Sequence, residues 1–268
     1  MNINYRLETP ADYYAVEKMT REAFWEFWEP DQTICNEHLL VHRLRSAPVY
    51  IPELDFVAEV TSEIVGHIIY TKSKIVSDTG AEHEVLTFGP LSVKPSFQNM
   101  GIGKALMRHS FEEAKRLGYR AVLIFGHPDY YPRVGFRRAS EFGIITSDGR
   151  SYDPFMAYPL YSGALDGIHG RYYIDPVYEQ LTEEDTHIFD KRFPFKEPFD
   201  PTPFSVLLER LDTDAREALG SINCKSLEMM TSKSEREISS LHGIDAKALD
   251  TIRAVLHEYN IKWGTNTH

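Results

Sequence analysis

The sequence predicts an α/β fold of the α+β kind: a mixed, mostly antiparallel sheet flanked by helices, followed by a small all-α domain. Three observations carry that expectation. Short apolar runs bounded by turn residues occupy 56–60, 64–70, 85–93 and 121–125, as strands buried on at least one face do. Between the last two runs, Met107, Phe111, Ala114 and Leu117 fall on one helical face at spacings of four, three and three. Beyond residue 204 the strand pattern gives way to five short helical ones.

The elements follow in order. Residues 3–7 read as an edge strand. Thr9-Pro10-Ala11-Asp12 starts a helix expected to reach about residue 27, with proline in the first turn, where its absent N–H is harmless. Residues 37–45 make a second helix, and 56–60 pairs with 64–70 as a hairpin around Thr61-Ser62-Glu63. Residues 85–93 read as a buried strand broken at Gly89-Pro90. The next helix ends near Gly118, residues 121–125 are another strand, and 142–145 and 154–158 close the sheet. These elements place a first domain at 1–181. From 182 to 204, four prolines and scattered phenylalanines leave no sustained period. That composition predicts a semi-extended linker whose aromatic side chains pack on something. Helical patterns at 204–211, 214–219, 226–230, 234–241 and 247–259 then make a second domain, 205–268, with a capping box at Ser234-Glu235-Arg236-Glu237.

Bulk properties exclude several function classes. A net charge of −11 argues against general affinity for nucleic acid or anionic membranes, both of which require basic surface, and makes a cationic partner easier to attract. The two cysteines, Cys35 and Cys224, fall in different expected domains, so neither a disulfide framework nor a Cys-rich metal site is expected. No apolar run reaches spanning length and the first residues lack the apolar core of a signal peptide, so the expected location is the cytoplasm.

The most informative stretch is Gln98-Asn99-Met100-Gly101-Ile102-Gly103, between the broken strand and the long helix. Two glycines there let successive backbone N–H groups converge beside the positive end of the helix dipole, which makes an anion site. A dinucleotide fingerprint would need a third glycine where Leu106 stands, and a Walker loop would need Ser or Thr where Ala105 stands. What remains, Gln-x-x-Gly-x-Gly opening a helix, resembles the pyrophosphate loop of the GNAT superfamily of acyl-CoA-dependent N-acetyltransferases. The downstream segment Tyr131-Pro132-Arg133-Val134-Gly135-Phe136 matches the Tyr-x-x-x-Gly-Phe ending of that family. In place of the family's frequent Asn on the fifth strand, the chain has the compact run Gly126-His127-Pro128-Asp129-Tyr130, which resembles a bacterial subgroup. The resemblance covers roughly residues 1–180 and names no acceptor.

The resemblance implies acetyl-CoA as co-substrate, an amine as acceptor and no metal. Backbone amides from Gln98, Asn99, Met100, Gly101, Ile102, Gly103 and Lys104 would hold the diphosphate. Leu91, Ser92 and Val93 would run along the pantetheine arm, which mimics a strand where the fourth and fifth strands splay. A main-chain amide near Gly89-Pro90-Leu91 would polarise the thioester carbonyl. Tyr131 is the expected acid: a phenol of pKa about 10 can protonate a thiolate of pKa about 8.5 and itself stay neutral. For the base, Glu84 and His127 are preferred over His83 and over His67, which reads as structural. His38 and His42, one helical turn apart, read as a solvated face, since no further ligand supports a zinc motif. Phe24, Trp25 and Trp28 either wall the acceptor site or belong to the core.

The last domain resembles the C-terminal domain of the bacterial RNA polymerase alpha subunit, through the order of Glu237, Leu241, Gly243, Lys247, Leu249 and Ile252. Its helix-hairpin-helix turn carries Asp245 where a DNA phosphate would sit. Residues 205–268 hold ten acidic and eight basic side chains. Both facts disfavour nucleic acid and favour a protein partner or a homodimer contact. The alternative to an enzyme is a non-catalytic acyl-CoA-binding adaptor that uses this helical domain to engage nucleic acid or a partner protein.

Overall fold

Alternation of inward and outward side chains organises the sheet around one long hairpin. In the computed structural model, which describes residues 2–25, 34–196, 202–222, 224 and 226–263, strands β1 (Asn4–Leu7), β2 (Phe56–Val60), β3 (Glu63–Val76) and β4 (Glu82–Val93) pair antiparallel in that order. Strand β5 (Ala121–Phe125) joins β4 in parallel. Strands β6 (Arg137–Arg138), β7 (Ile144–Thr146), β8 (Phe155–Pro159) and β9 (Gly170–Tyr173) complete the sheet. The order along the sheet is β1-β2-β3-β4-β5-β8-β6, with β9 bridging β3 and β7. The sheet is therefore mixed and mostly antiparallel, as the sequence pattern predicts.

Helices cover both faces because successive side chains of β2 point opposite ways. Phe56 and Ala58 join the cluster formed with Ile102, Leu106 and Met107 of α3 (Ile102–Arg116). Val57 meets Val16 of α1 (Tyr13–Phe24) and Val41 of α2 (Glu37–Leu44) on the other side. On α3 the expected stripe of Met107, Phe111 and Ala114 is buried, while Leu117, at the C-terminal cap, is 38% exposed.

The chain divides into two compact units, Met1–Phe24 with Cys35–Phe195, and Trp25–Ile34 with Lys196–His268. Part of the expected linker is regular: Glu183–Asp190 forms α4, whose N-cap Thr182 accepts from the Asp185 amide. Phe189 and Phe193 are buried against Leu39. A short polar helix with one aromatic anchor, Phe189, and a second, Phe193, just past its end has too weak a period to stand out beside prolines. The rest of that segment, including Phe199, and the expected extension of α1 with Trp28, lie outside the described residues.

In the second unit, α5 (Thr202–Arg210), α6 (Thr213–Ser221), α7 (Leu227–Thr231), α8 (Glu235–Ser239) and α9 (Ala246–Glu258) enclose a core that includes Leu207, Leu219, Met230, Ile238 and Ile252. The capping box is present: Ser234 accepts from the Glu237 amide and Glu237 reaches back to the Ser234 amide. Asp245 is the N-cap of α9, accepting from the Ala248 amide at 2.7 Å. Its carboxylate therefore satisfies the helix start. Among the described residues no helix is long and apolar enough to cross a membrane.

Candidate active site

Strands β4 and β5 meet at Leu86 and Val122. Just beyond, β4 carries an irregularity: Ile68 of β3 pairs with Leu91 and Tyr70 pairs with Phe88, so Gly89 and Pro90 together oppose one residue of β3. An extra residue at this point bends the strand and releases its backbone from the ladder. A cavity of about 400 Å³ opens there, lined on the sheet by Thr87 through Leu91, Ile124 and Phe125. Tyr131 forms a further wall. Phe24, Glu37 and Leu40 enter from α1 and α2, and Ile174, Tyr178 and Glu179 from the segment after β9.

Tyr131 is held in the cavity wall by local geometry. It opens a turn of 3-10 helix, Tyr131–Val134. Its ring packs edge-on against Phe136 at 5.3 Å and Tyr130 at 5.1 Å between centroids. It also lies over Gly126, where a Cβ would collide with it. Burial raises the Tyr131 pKa above the ordinary phenol value, and neighbouring Tyr130 adds to the shift. The hydroxyl is thus a proton donor at neutral pH.

The glycine loop is positioned for an anion. Asn99 and Gly101 both adopt left-handed backbone, with φ of +62° and +82°, and α3 begins immediately after. The first capping bond of α3 runs from the Ala105 amide to the Gly101 carbonyl at 3.0 Å, so the amides of Ile102, Gly103 and Lys104 belong to the turn that has no helical acceptors. Gln98 Nε2 donates to the Val93 carbonyl at 3.1 Å, which ties the loop to the end of β4. Met100 is 59% exposed, whereas Ile102 is a core residue. Ser92 presents its side chain to α1, 2.9 Å from the Thr20 hydroxyl, so only its backbone faces the β4 edge. The Tyr130 hydroxyl stands 3.5 Å from where a Cβ of Gly103 would be. The place of Tyr130 over the loop depends on the turn between β5 and β6, which its position in the sequence does not reveal.

Residues 17–137 match the model of the acetyltransferase (GNAT) family. Over that segment the chain is similar to a GNAT acetyltransferase domain. It is 37% identical over 87 residues to the uncharacterized N-acetyltransferase YjhQ of Escherichia coli K12, which covers 32% of this chain and 46% of that protein. The chain thus spans about half the length of that relative. It is 25% identical over 166 residues to the uncharacterized N-acetyltransferase YhbS of the same strain, 62% of this chain and 92% of that one. Among solved structures, YhbS from Escherichia coli in complex with CoA superposes with a TM-score of 0.59 at 21% identity, covering 68% of this chain and 94% of that one. A GNAT family acetyltransferase from Brucella melitensis in complex with acetyl-CoA gives 0.52 at 26% identity, covering 66% and 98%.

The fold brings Tyr131 and Leu91 to the cavity and leaves both expected bases outside it. Glu84 lies four residues before Phe88, about 13 Å of extended strand, and its carboxylate pairs with Lys72 at 3.2 Å on the surface. His127 is 56% exposed, its Nδ1 accepting from the Asp129 amide at 3.3 Å. The carboxylates that do line the cavity are Glu37 and Glu179. Their signal was weak in the sequence, because α2 and the turn after β9 reach the site only through tertiary packing. Phe24 lines the cavity and Trp25 is buried.

The first unit also contains a buried ion network away from this cavity. Arg45 donates to both Glu8 oxygens at 2.6 and 2.8 Å and to Glu17 at 2.7 Å. His67 Nε2 lies 2.8 Å from Asp55, which also accepts from the Tyr50 hydroxyl. Glu8, Asp55 and His67 bring three potential ligand atoms within 4.8 Å of one another. The Arg45 guanidinium already neutralises Glu8, so the arrangement is that of a structural ion network. The helix-face histidines are engaged as well: His38 Nε2 is 3.2 Å from Asp190 and fully buried, and His42 Nδ1 is 2.9 Å from Glu17. The solvated face expected for His38 is instead the seam between α2 and α4.

Proposed function

We propose that the protein is an acetyl-CoA-dependent N-acetyltransferase acting on a primary amine. The observation that carries this reading is the conjunction of a splayed β4–β5 edge, a tyrosine in the cavity wall and an anion-binding turn at the start of α3. The structures of YhbS with CoA and of the Brucella melitensis enzyme with acetyl-CoA support the choice of co-substrate.

The amides at the start of α3 bind the diphosphate, with Gln98, Asn99, Met100 and Gly101 shaping the turn and Lys104 adding positive charge. Backbone groups of Leu91, Ser92 and Val93 pair with the pantetheine arm as a strand would. The amine nitrogen attacks the thioester carbonyl carbon. A C–N bond forms, the C–S bond breaks, and the Tyr131 hydroxyl protonates the departing thiolate. The proton shed by the amine leaves through water at the cavity mouth.

The catalytic part is proposed to span 1–181, with α4 packed on it from the segment that follows, and 205–268 is proposed as a helical module of helix-hairpin-helix type. Asp245 as a cap and the surplus of acidic side chains support a protein partner for that module over nucleic acid, and the cytoplasm is the proposed location. Titration calorimetry with acetyl-CoA, followed by a thiol-release assay across an amine panel, tests the catalytic reading. Absence of heat with acetyl-CoA would refute it.

A further inference from the structure

We infer that the acceptor is a monoamine with an apolar body, an alkyl or aromatic chain ending in the reacting nitrogen. This rests on the acetyltransferase reading and deepens it. Away from the strands, the cavity is walled by Phe24 of α1, Leu40 of α2, and Ile174 and Tyr178 after β9. Phe24, Leu40 and Ile174 are each half-buried, and Phe125 at the end of β5 is 54% exposed. Apolar surface from four separate elements is thus turned to the cavity and not fully packed into the core.

The polar groups of the described wall are already committed. Thr87 Oγ1 bonds the hydroxyls of Ser73 and Tyr172, and the Tyr178 hydroxyl is 2.9 Å from that of Thr71. Glu37 already has an interaction partner within the chain. Glu179 is exposed and keeps its water. Pro90 has no N–H to offer, the Leu91 backbone is assigned to the pantetheine arm, and the Tyr131 hydroxyl is assigned to the thiolate. A polar acceptor body would surrender its hydration with no buried wall group left to replace it. An alkyl or aromatic body has no such loss and gains by leaving water for the side chains of Phe24, Leu40, Phe125 and Ile174.

The test is the series n-propylamine, n-butylamine, n-pentylamine and n-hexylamine, which share a reacting nitrogen and differ only in apolar length. Assayed by thiol release on the full chain, kcat/KM should rise about fourfold per methylene. 5-Amino-1-pentanol puts a hydroxyl where n-hexylamine has its terminal methyl, and should be poorer than n-hexylamine by about tenfold or more. Leu40→Ser and Ile174→Ser should each shrink the step per methylene, with acetyl-CoA affinity by calorimetry unchanged. The series on the unaltered chain decides the inference even where a variant does not fold. Acetyl-CoA binding combined with a flat series, equal use of n-hexylamine and 5-amino-1-pentanol, or use of none of these amines overturns the acceptor inference alone. A step unmoved in both variants, each still binding acetyl-CoA, does the same. Failure of the unaltered chain to bind acetyl-CoA would instead strike the acetyltransferase reading.

Discussion

At Tyr131 a single phenol combines position, protonation and confinement. Burial keeps it protonated well past neutrality, so an alkaline fall in activity below about pH 10 should not originate from it. Tyr131→Phe should lower kcat at least about tenfold while the acetyl-CoA dissociation constant stays the same; equal turnover of the two proteins would remove the hydroxyl from the chemistry. Gly126→Ala tests how the ring is held. The new methyl would occupy the space of the ring, so the tyrosine must move, and kcat should fall by about the same factor as in the phenylalanine variant. Unaltered kcat would mean that the ring's position is not set by this contact. Tyr131 was legible in the sequence because its spacing to Gly135-Phe136 is local. Glu37 and Glu179 were not, since 142 residues separate them and only folding brings them together.

Among the elements, the turn before α3 and the α2–α4 seam make opposite kinds of statement. The turn was readable from composition: Gly101 has φ +82°, where a Cβ costs about 1–2 kcal/mol. Gly101→Ala should therefore weaken acetyl-CoA binding by about tenfold, measured by calorimetry, and an unchanged constant would place the diphosphate elsewhere. The seam was hidden. His38 lies between Asp190 and Phe189, and Arg21 donates to Asp190 at 2.9 Å. Burial lowers the His38 pKa from 6.5 to about 4, against the pull of Asp190 and aided by Arg21. The folded value is depressed, so the stabilising contribution is complete above about pH 6.5 and is lost as pH falls toward 4. The loss is at most about 3 kcal/mol. His38→Gln should flatten the dependence of unfolding free energy on pH in that window, and an identical slope in the variant would show that the imidazole does not titrate there. Strands β3 and β9 were under-read for a related reason. Thr71 and Ser73 on β3 are polar yet buried, and Ser73 bonds Thr87, which in turn bonds Tyr172 of β9. Hydroxyls satisfied by a distant strand look like loop residues until that strand is in place.

For the whole molecule, charge and division into units set the expectations. The helical unit's acids outnumber its bases and the Asp245 carboxylate is used as a helix cap. Short duplex DNA should therefore show no salt-sensitive binding to the full chain; a mobility shift that weakens with added salt would contradict this. The sequence by itself determined the order of most elements, the mixed sheet, the glycine turn and the place of Tyr131 ahead of Gly135-Phe136, because each is encoded in residues that are neighbours along the chain. Tertiary structure alone decided which carboxylates enter the cavity, why Glu84 and His127 do not, and that part of the expected linker is a helix clasped to α2. Those outcomes depend on strand register and on packing between distant segments, and periodicity within one segment carries no information about either.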